Sequence, residues 1–154
     1  MPLHGACLCG AVRYEVRGEP LGADWCHCSR CRRFSGAAAD PSLKVRAADL
    51  AIVGGRDRVR VYVEAGHADR AFCATCGSSL FGGRGLFGAA ETVGVCMGTL
   101  DDDPRVRFTC HKAIAWKAPW ADLPDDGLPR YEAWPPTPET NDLGPASRVD
   151  RELP

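Results

Sequence analysis

Apolar and polar residues alternate along much of this chain, and that period of two is its dominant pattern. Residues Ala11–Arg17 set Val12, Tyr14 and Val16 on one face and Arg13, Glu15 and Arg17 on the other. Arg58–Glu64 repeats the arrangement, with Val59, Val61 and Val63 opposite Arg58, Arg60 and Tyr62. Such alternation with β-branched residues predicts half-buried strands. Gly94–Leu100 and Val106–Trp116, rich in Val, Ile, Phe and Trp, are further strand candidates, whereas no strand signal leads into Cys7. No window of about eleven residues carries a helical apolar stripe. Short helical turns are expected only around Ser29–Phe34 and Ala47–Leu50. The 17 glycines and 12 prolines fall between the periodic segments as turn punctuation. The pattern predicts a mostly β fold with few or very short helices.

The length of 154 residues suits one domain. The stretch from Pro135 to Pro154 holds five prolines and almost no apolar material, so a flexible tail is expected there, after a folded unit over residues 2–134. No internal repeat is present. No apolar run is long enough for a membrane-spanning helix, and MPLHGACLCG has neither the basic start nor the apolar stretch of a secretory signal. With 19 Lys and Arg against 20 Asp and Glu, the net charge is -1, which gives no general attraction to nucleic acid or acidic lipid. A cytoplasmic protein is expected.

Nine cysteines change this picture. Cys7 and Cys9 form C-x-C, Cys26, Cys28 and Cys31 form C-x-C-x-x-C, and Cys73 and Cys76 form C-x-x-C. An odd count in tight clusters, without a secretory signal, points to metal rather than to disulfides or a redox-cycling dithiol. Structural zinc takes four tetrahedral ligands, and the first and last pairs supply two thiolates each. Gly10 and Gly77 follow those pairs, where a glycine lets the backbone turn its amides toward sulfur. The middle cluster offers three thiolates with His27 between them. Three protein ligands and a vacant fourth position is the form of a catalytic zinc site; His27 as fourth ligand would close the site instead. Three thiolates leave the complex near a charge of -1, which suits an incoming soft thiolate better than hydroxide generation.

These residues resemble the glutathione-dependent formaldehyde-activating enzymes, the family grouped with the centromere protein V domain. The resemblance runs through GACLCGAVRYEVRG at Gly5–Gly18, WCHCSRCRRFSGA at Trp25–Ala37, FCATCGSSLF at Phe72–Phe81 and HKAIAWKAPW at His111–Trp120. GTLDDDP at Gly98–Pro104 and DGLPRY at Asp126–Tyr131 also look like family signatures, while Lys112, Ala113 and the Gly82–Gly88 loop depart from it. The resemblance implies a compact, twisted, all-β zinc fold with two zincs per chain. Cys7, Cys9, Cys73 and Cys76 would hold a structural zinc, and Cys26, Cys28 and Cys31 a more labile zinc at the reactive site. It also implies carbon–sulfur lyase chemistry on adducts of glutathione, or another thiol, with an aldehyde such as formaldehyde. The alternative is a non-catalytic, zinc-stabilised interaction or chaperone-like module.

Arg30, Arg32 and Arg33 flank the reactive cluster and would clamp the carboxylates of a glutathione-like thiol, if they are not simply a solvated face. His111 reads as a strand-surface or satisfied core histidine rather than an acid or base. Cys96 and Cys110 read as packing residues. Trp116 and Trp120 around Pro119 read as a core anchor. Trp25 reads as core or as a wall beside the cluster.

Overall fold

The structure, a computed structural model, describes residues 1–136. The expected tail lies outside the described residues beyond Pro136. Along the chain come β1 (Leu3–Ala6), β2 (Arg13–Val16), β3 (Gly22–Cys26), α1 (Ser29–Ser35), β4 (Asp40–Arg46) and β5 (Leu50–Gly54). They are followed by β6 (Val59–Tyr62), β7 (Asp69–Cys73), β8 (Ser79–Gly83), β9 (Thr92–Cys96) and β10 (Phe108–Lys112). The mostly β architecture is as the alternation predicts. The described residues form two compact units: residues 1–23 with 42–107, and residues 24–41 with 108–136. No helix among the described residues is long and apolar enough to cross a membrane.

In the first unit, β1, β2 and β5 form an antiparallel three-stranded sheet in that order. The strand leading into Cys7 escapes the sequence pattern because Leu3–Ala6 is short and carries His4 and Gly5. The strand expected at Ala11–Arg17 is β2, and its apolar face is buried as expected, with Val12, Tyr14 and Val16 at most 1% exposed. Further strands run in the order β4, β9, β8, β7, β6. Leu43 pairs with Val95 and Val45 with Val93 across β4 and β9. Such cross-strand apolar pairs each stabilise by roughly 0.2–1 kcal/mol. Tyr14 meets Phe81 edge to face at 5.0 Å and shares a 2.7 Å hydrogen bond with the Thr99 hydroxyl, so its one polar atom is satisfied inside the core.

Two strand expectations need correction here. β6 forms within Arg58–Glu64, but Val61 and Val63 are exposed rather than half-buried. β6 is last in its strand order and pairs with β7 alone. Alternation reports a pleat; it does not report whether a second layer covers it. The strand expected at Gly94–Leu100 ends at Cys96, where a 3₁₀ turn over Met97–Thr99 begins. The Thr99 hydroxyl donates to the Cys96 carbonyl at 2.8 Å and the Leu100 amide to the Met97 carbonyl at 3.1 Å. These local bonds replace the strand ladder, and Cys96 is left half-exposed rather than packed away.

In the second unit, β10 runs beside β3, and the His27 amide donates to the Lys112 carbonyl at 3.0 Å. The helical turn expected near Ser29 is α1. Cys28 caps its start, its sulfur accepting the Cys31 amide at 3.4 Å, and Gly36 ends it in the left-handed region at φ 70°. β10 stops at Ala113, itself left-handed at φ 59°, before a 3₁₀ turn over Ile114–Trp116. Trp116 packs with Trp134 against Cys26, Cys28 and Ala113, but Trp120 is 72% exposed and anchors no core. Trp25 stacks on Phe108 at 4.2 Å.

Candidate metal centres

Two backbone turns of like construction carry the outer cysteine pairs. After Cys7 the Gly10 amide donates back to the Cys7 carbonyl at 2.9 Å, and after Cys73 the Gly77 amide donates to the Cys73 carbonyl at 2.8 Å. Gly10 and Gly77 have φ of 73° and 78°, and an added Cβ would meet nothing within 4 Å. The left-handed backbone, not lack of space, favours glycine at both. The Val12 amide donates to Cys7 Sγ at 3.2 Å, and the Ser78 hydroxyl lies 3.2 Å from Cys76 Sγ. The turns bring Cys7, Cys9, Cys73 and Cys76 together, with all four sulfurs within 4.8 Å of one another. Cys7 to Cys9 is 3.5 Å and Cys9 to Cys73 is 4.0 Å. Four thiolates around zinc at 2.3 Å would stand about 3.8 Å apart, so the donor set fits tetrahedral zinc.

Cys26, Cys28 and Cys31 form the second group, again with sulfurs within 4.8 Å and with Cys26 to Cys28 at 3.6 Å. The end of β3 supplies the first sulfur, the helix cap the second and the first turn of α1 the third. His27 does not join them. Its Nε2 lies 2.9 Å from His111 Nδ1, so the ring nitrogen nearest that partner is already engaged. Among the described residues the group has three donors and no fourth.

The crowded thiols resist ionising together, which is the electrostatic signature of a site built for a cation. A hydrogen bond with Cys28, with burial behind it, pushes the Cys26 thiol up to about 12. Cys26 and Cys28 hold Cys31 well above the usual thiol range. In the other group, the Ser78 hydroxyl and amide bring Cys76 down to about 5. Cys9 is pulled down by the Ala11 amide but carried up to about 11 by the neighbouring Cys7. A divalent cation reverses this penalty for every ligand at once.

Of the flanking arginines, Arg32 donates from Nε to the His27 carbonyl at 3.2 Å and from Nη2 to the Trp116 carbonyl at 3.2 Å, which braces the cysteine loop. Arg33 is exposed and Arg30 half-buried. Burial pulls Lys112 down, but Asp24 at 2.6 Å, together with Cys26 and Cys31, holds its ammonium above the ordinary lysine value. Lys112 is therefore a fixed positive charge beside the three thiols. Burial first, then the charges of His111, Lys117 and Arg32, lower the His27 imidazole below its ordinary value. Cys110 is buried, and burial raises its thiol. His111 is only 2% exposed and is satisfied at both ring nitrogens, by His27 and by Asp126 at 3.0 Å. Asp24 and Asp126 were not singled out by sequence reasoning. The signal available for Asp126 was its place at the head of DGLPRY.

The chain is similar to one known family and to individual known proteins. The family model described as glutathione-dependent formaldehyde-activating enzyme matches residues 2–116. A Halomonas elongata protein named as a candidate glutathione-dependent formaldehyde-activating enzyme is 29% identical over 132 residues, covering 80% of this chain and 82% of that one. An uncharacterized lyase of Schizosaccharomyces pombe is 29% identical over 77 residues, 50% of this chain and 54% of its own. A crystal structure of a Rhodobacter sphaeroides protein matches with a TM-score of 0.54 at 30% identity, covering 83% of this chain and 98% of that one.

Proposed function

The chain belongs to the family of glutathione-dependent formaldehyde-activating enzymes, and from that premise we propose that it is a zinc-dependent carbon–sulfur lyase. Its substrates are adducts of glutathione, or a similar thiol, with an aldehyde such as formaldehyde. Cys7, Cys9, Cys73 and Cys76 hold a structural zinc, and Cys26, Cys28 and Cys31 hold a second zinc at the reactive site. The observation that carries this reading is the second group: three sulfurs within 4.8 Å of one another and no fourth donor among the described residues. A closed structural centre would have used His27, and His27 is turned to His111 instead.

Zinc held by Cys26, Cys28 and Cys31 would supply a soft Lewis acid for the substrate sulfur and would lower the pKa of a thiol. The rest falls to the chain. The Cys28 sulfur is set in place by the Cys31 amide, and Arg32 braces the loop through two backbone carbonyls. Lys112 offsets the surplus negative charge of three thiolates. Arg33 and Arg30, with the unspent donors of Arg32, orient the carboxylates of the thiol substrate. In cleavage the carbon–sulfur bond breaks with its electron pair on sulfur, the hydroxyl oxygen becomes the carbonyl, and the hydroxyl proton passes to the thiol. S-hydroxymethylglutathione thus gives glutathione and formaldehyde, with no redox change. A reducing cytoplasm, which keeps cysteines out of disulfides, suits this chemistry.

Native mass spectrometry of protein grown with zinc tests the reading together with an assay of formaldehyde release from S-hydroxymethylglutathione. Two zincs per chain and release above the uncatalysed rate are expected. One zinc, with no more taken up on titration, would overturn the lyase and leave a zinc-stabilised interaction module.

A further inference from the structure

The strand order β4, β9, β8, β7, β6 ends on β6, and among the described residues no strand pairs with its outer edge. The outer side of β1 is treated differently. Leu100 bridges to Gly5 there, and the Asp101 amide donates to the His4 carbonyl at 2.9 Å. An open edge offers its amides and carbonyls to any other strand, and proteins blunt such edges with charge, proline or a bulge. β6 has no proline, and its pairs with β7 run without a shift in register from Val59 opposite Cys73 to Tyr62 opposite Arg70. Its one charge, Arg60, is folded back on its own chain, donating to the Asp57 and Val59 carbonyls at 2.8 and 3.3 Å.

The ladder fixes which backbone groups face outward. The Ala74 amide donates to the Arg58 carbonyl at 2.8 Å, and in an antiparallel pair residues bonded to the neighbour alternate with residues that face away. Arg58, Arg60 and Tyr62 therefore turn to β7, and Val59, Val61 and Val63 turn outward. The Val59 amide is spent on the Arg56 carbonyl. That leaves the Val59 carbonyl, both Val61 groups and the Val63 amide to bond a new strand. The side chains point the same way. Cross-strand partners share a face, so Val61 continues the row of Phe81 and Ala71 across β8, β7 and β6. Phe81 and Ala71 are 0% exposed, but Val61 is 36% and Val63 69% exposed, so the apolar face loses its cover at the edge.

We propose that the outer edge of β6 pairs with β6 of a second copy of this chain, antiparallel and about a two-fold axis through Val61. The segment Arg58–Glu64 reads RVRVYVE, which complements itself when reversed. Val61 then faces the partner's Val61, Val59 faces the partner's Val63, and Arg58 stands at the partner's Glu64. The Val61 amide and carbonyl meet their own copies, and the Val63 amide meets the partner's Val59 carbonyl. An axis at Arg60 would instead set Arg60 against the partner's Arg60, and like charges directly opposite destabilise a pair. An axis at Tyr62 would run Val59 into the partner's Ala65, in the turn after β6, and shorten the overlap. Such an isologous contact uses both edges, so assembly closes at two chains. The overlap is small, so the dimer is weak, half-formed at roughly 100 μM. It does not depend on the lyase reading.

The test is sedimentation velocity of the zinc-loaded full chain over a range of concentrations, with the folding of each variant checked by its thermal melt. The wild type should pass from one chain to two and go no further. Val61→Lys sets two ammonium groups across the axis and should raise the dissociation constant at least about a hundredfold. Arg58→Glu and Glu64→Arg should each raise it about tenfold, since every change acts at two symmetry-related places. The double variant, with the charges exchanged, should return to within about threefold of the wild type. Arg58 is exposed and Glu64 half-exposed, so the exchange tests the interface even if Val61→Lys fails to fold. A wild type that stays monomeric to about 1 mM would overturn the proposal. So would assembly beyond two chains, a dimer untouched by a folded Val61→Lys, or a charge exchange that brings no recovery.

Discussion

The four-sulfur group joins two chain segments, whereas the three-sulfur group comes from one stretch of six residues. Cys7 and Cys9 lie far in sequence from Cys73 and Cys76, and each pair sits on its own left-handed glycine turn. Cys26, Cys28 and Cys31 belong to one strand end and the first turn of one helix. A cross-link stabilises a fold by restricting the unfolded chain, and the restriction grows with the loop it closes. Metal in the first group would therefore act on the fold of its unit. Metal in the second would tie together residues that the chain already holds close, so little of its binding energy would go into folding. On the proposed reading, the same donor atom would serve stability in one place and leave room for chemistry in the other.

The sharpest way to break this contrast is to remove one sulfur from each group. Cys73→Ser should be the most damaging change. Cys73 is fully buried, and apparent zinc affinities of about 10–16 kcal/mol match or exceed the stability of a typical domain. Loss of the cooperative thermal transition by circular dichroism, with at most one zinc left by native mass spectrometry, is the expected outcome. Cys28→Ser should lose the second zinc and turnover, at least about a thousandfold, while its melting temperature falls by only a few degrees. Serine is a good helix cap, so the start of α1 survives this substitution even though the ligand does not. Equal loss of thermal stability in the two variants would erase the proposed difference.

Smaller changes sharpen the comparison. Lys112→Met leaves the half-buried Asp24 without its cation, and Asp24 already has Oδ1 unpartnered. A loss of about 2 kcal/mol in urea unfolding is expected, between that of an exposed and of a fully buried ion pair. Weaker retention of the second zinc should accompany it, read by chelator competition, while the first zinc is unaffected. Gly77→Ala should cost about 1 kcal/mol through its left-handed backbone alone, since nothing crowds the added methyl. Its effect should appear in thermal stability and not in turnover.

Much of this architecture was legible before any coordinates. Alternation marked β2 and β6, because a strand writes its pleat directly into residue order, and richness in Val, Ile, Phe and Trp marked β9 and β10. Cysteine spacing marked both metal groups because knuckles are local, and Gly10 and Gly77 announced their turns. Other features were hidden. Alternation at Arg58–Glu64 could not say that Val61 and Val63 would stay exposed, since the covering layer is a matter of packing elsewhere. Trp120 looked like an anchor by residue type, yet the chain carries it outward while Trp116 packs inward. The tether between His27, His111 and Asp126 joins positions separated by 84 and 15 residues, and no local pattern encodes such a meeting.

By itself, then, the order of residues determined the donor atoms, their grouping and the β character of the chain. All of these depend on neighbours within a few positions, where backbone geometry leaves few choices. Only the tertiary structure decided which faces are covered, that His27 turns from the sulfurs to His111, and that Arg32 is partly spent on backbone carbonyls. Those outcomes follow from which distant segments pack together, and burial then obliges every polar atom brought inside to find a partner.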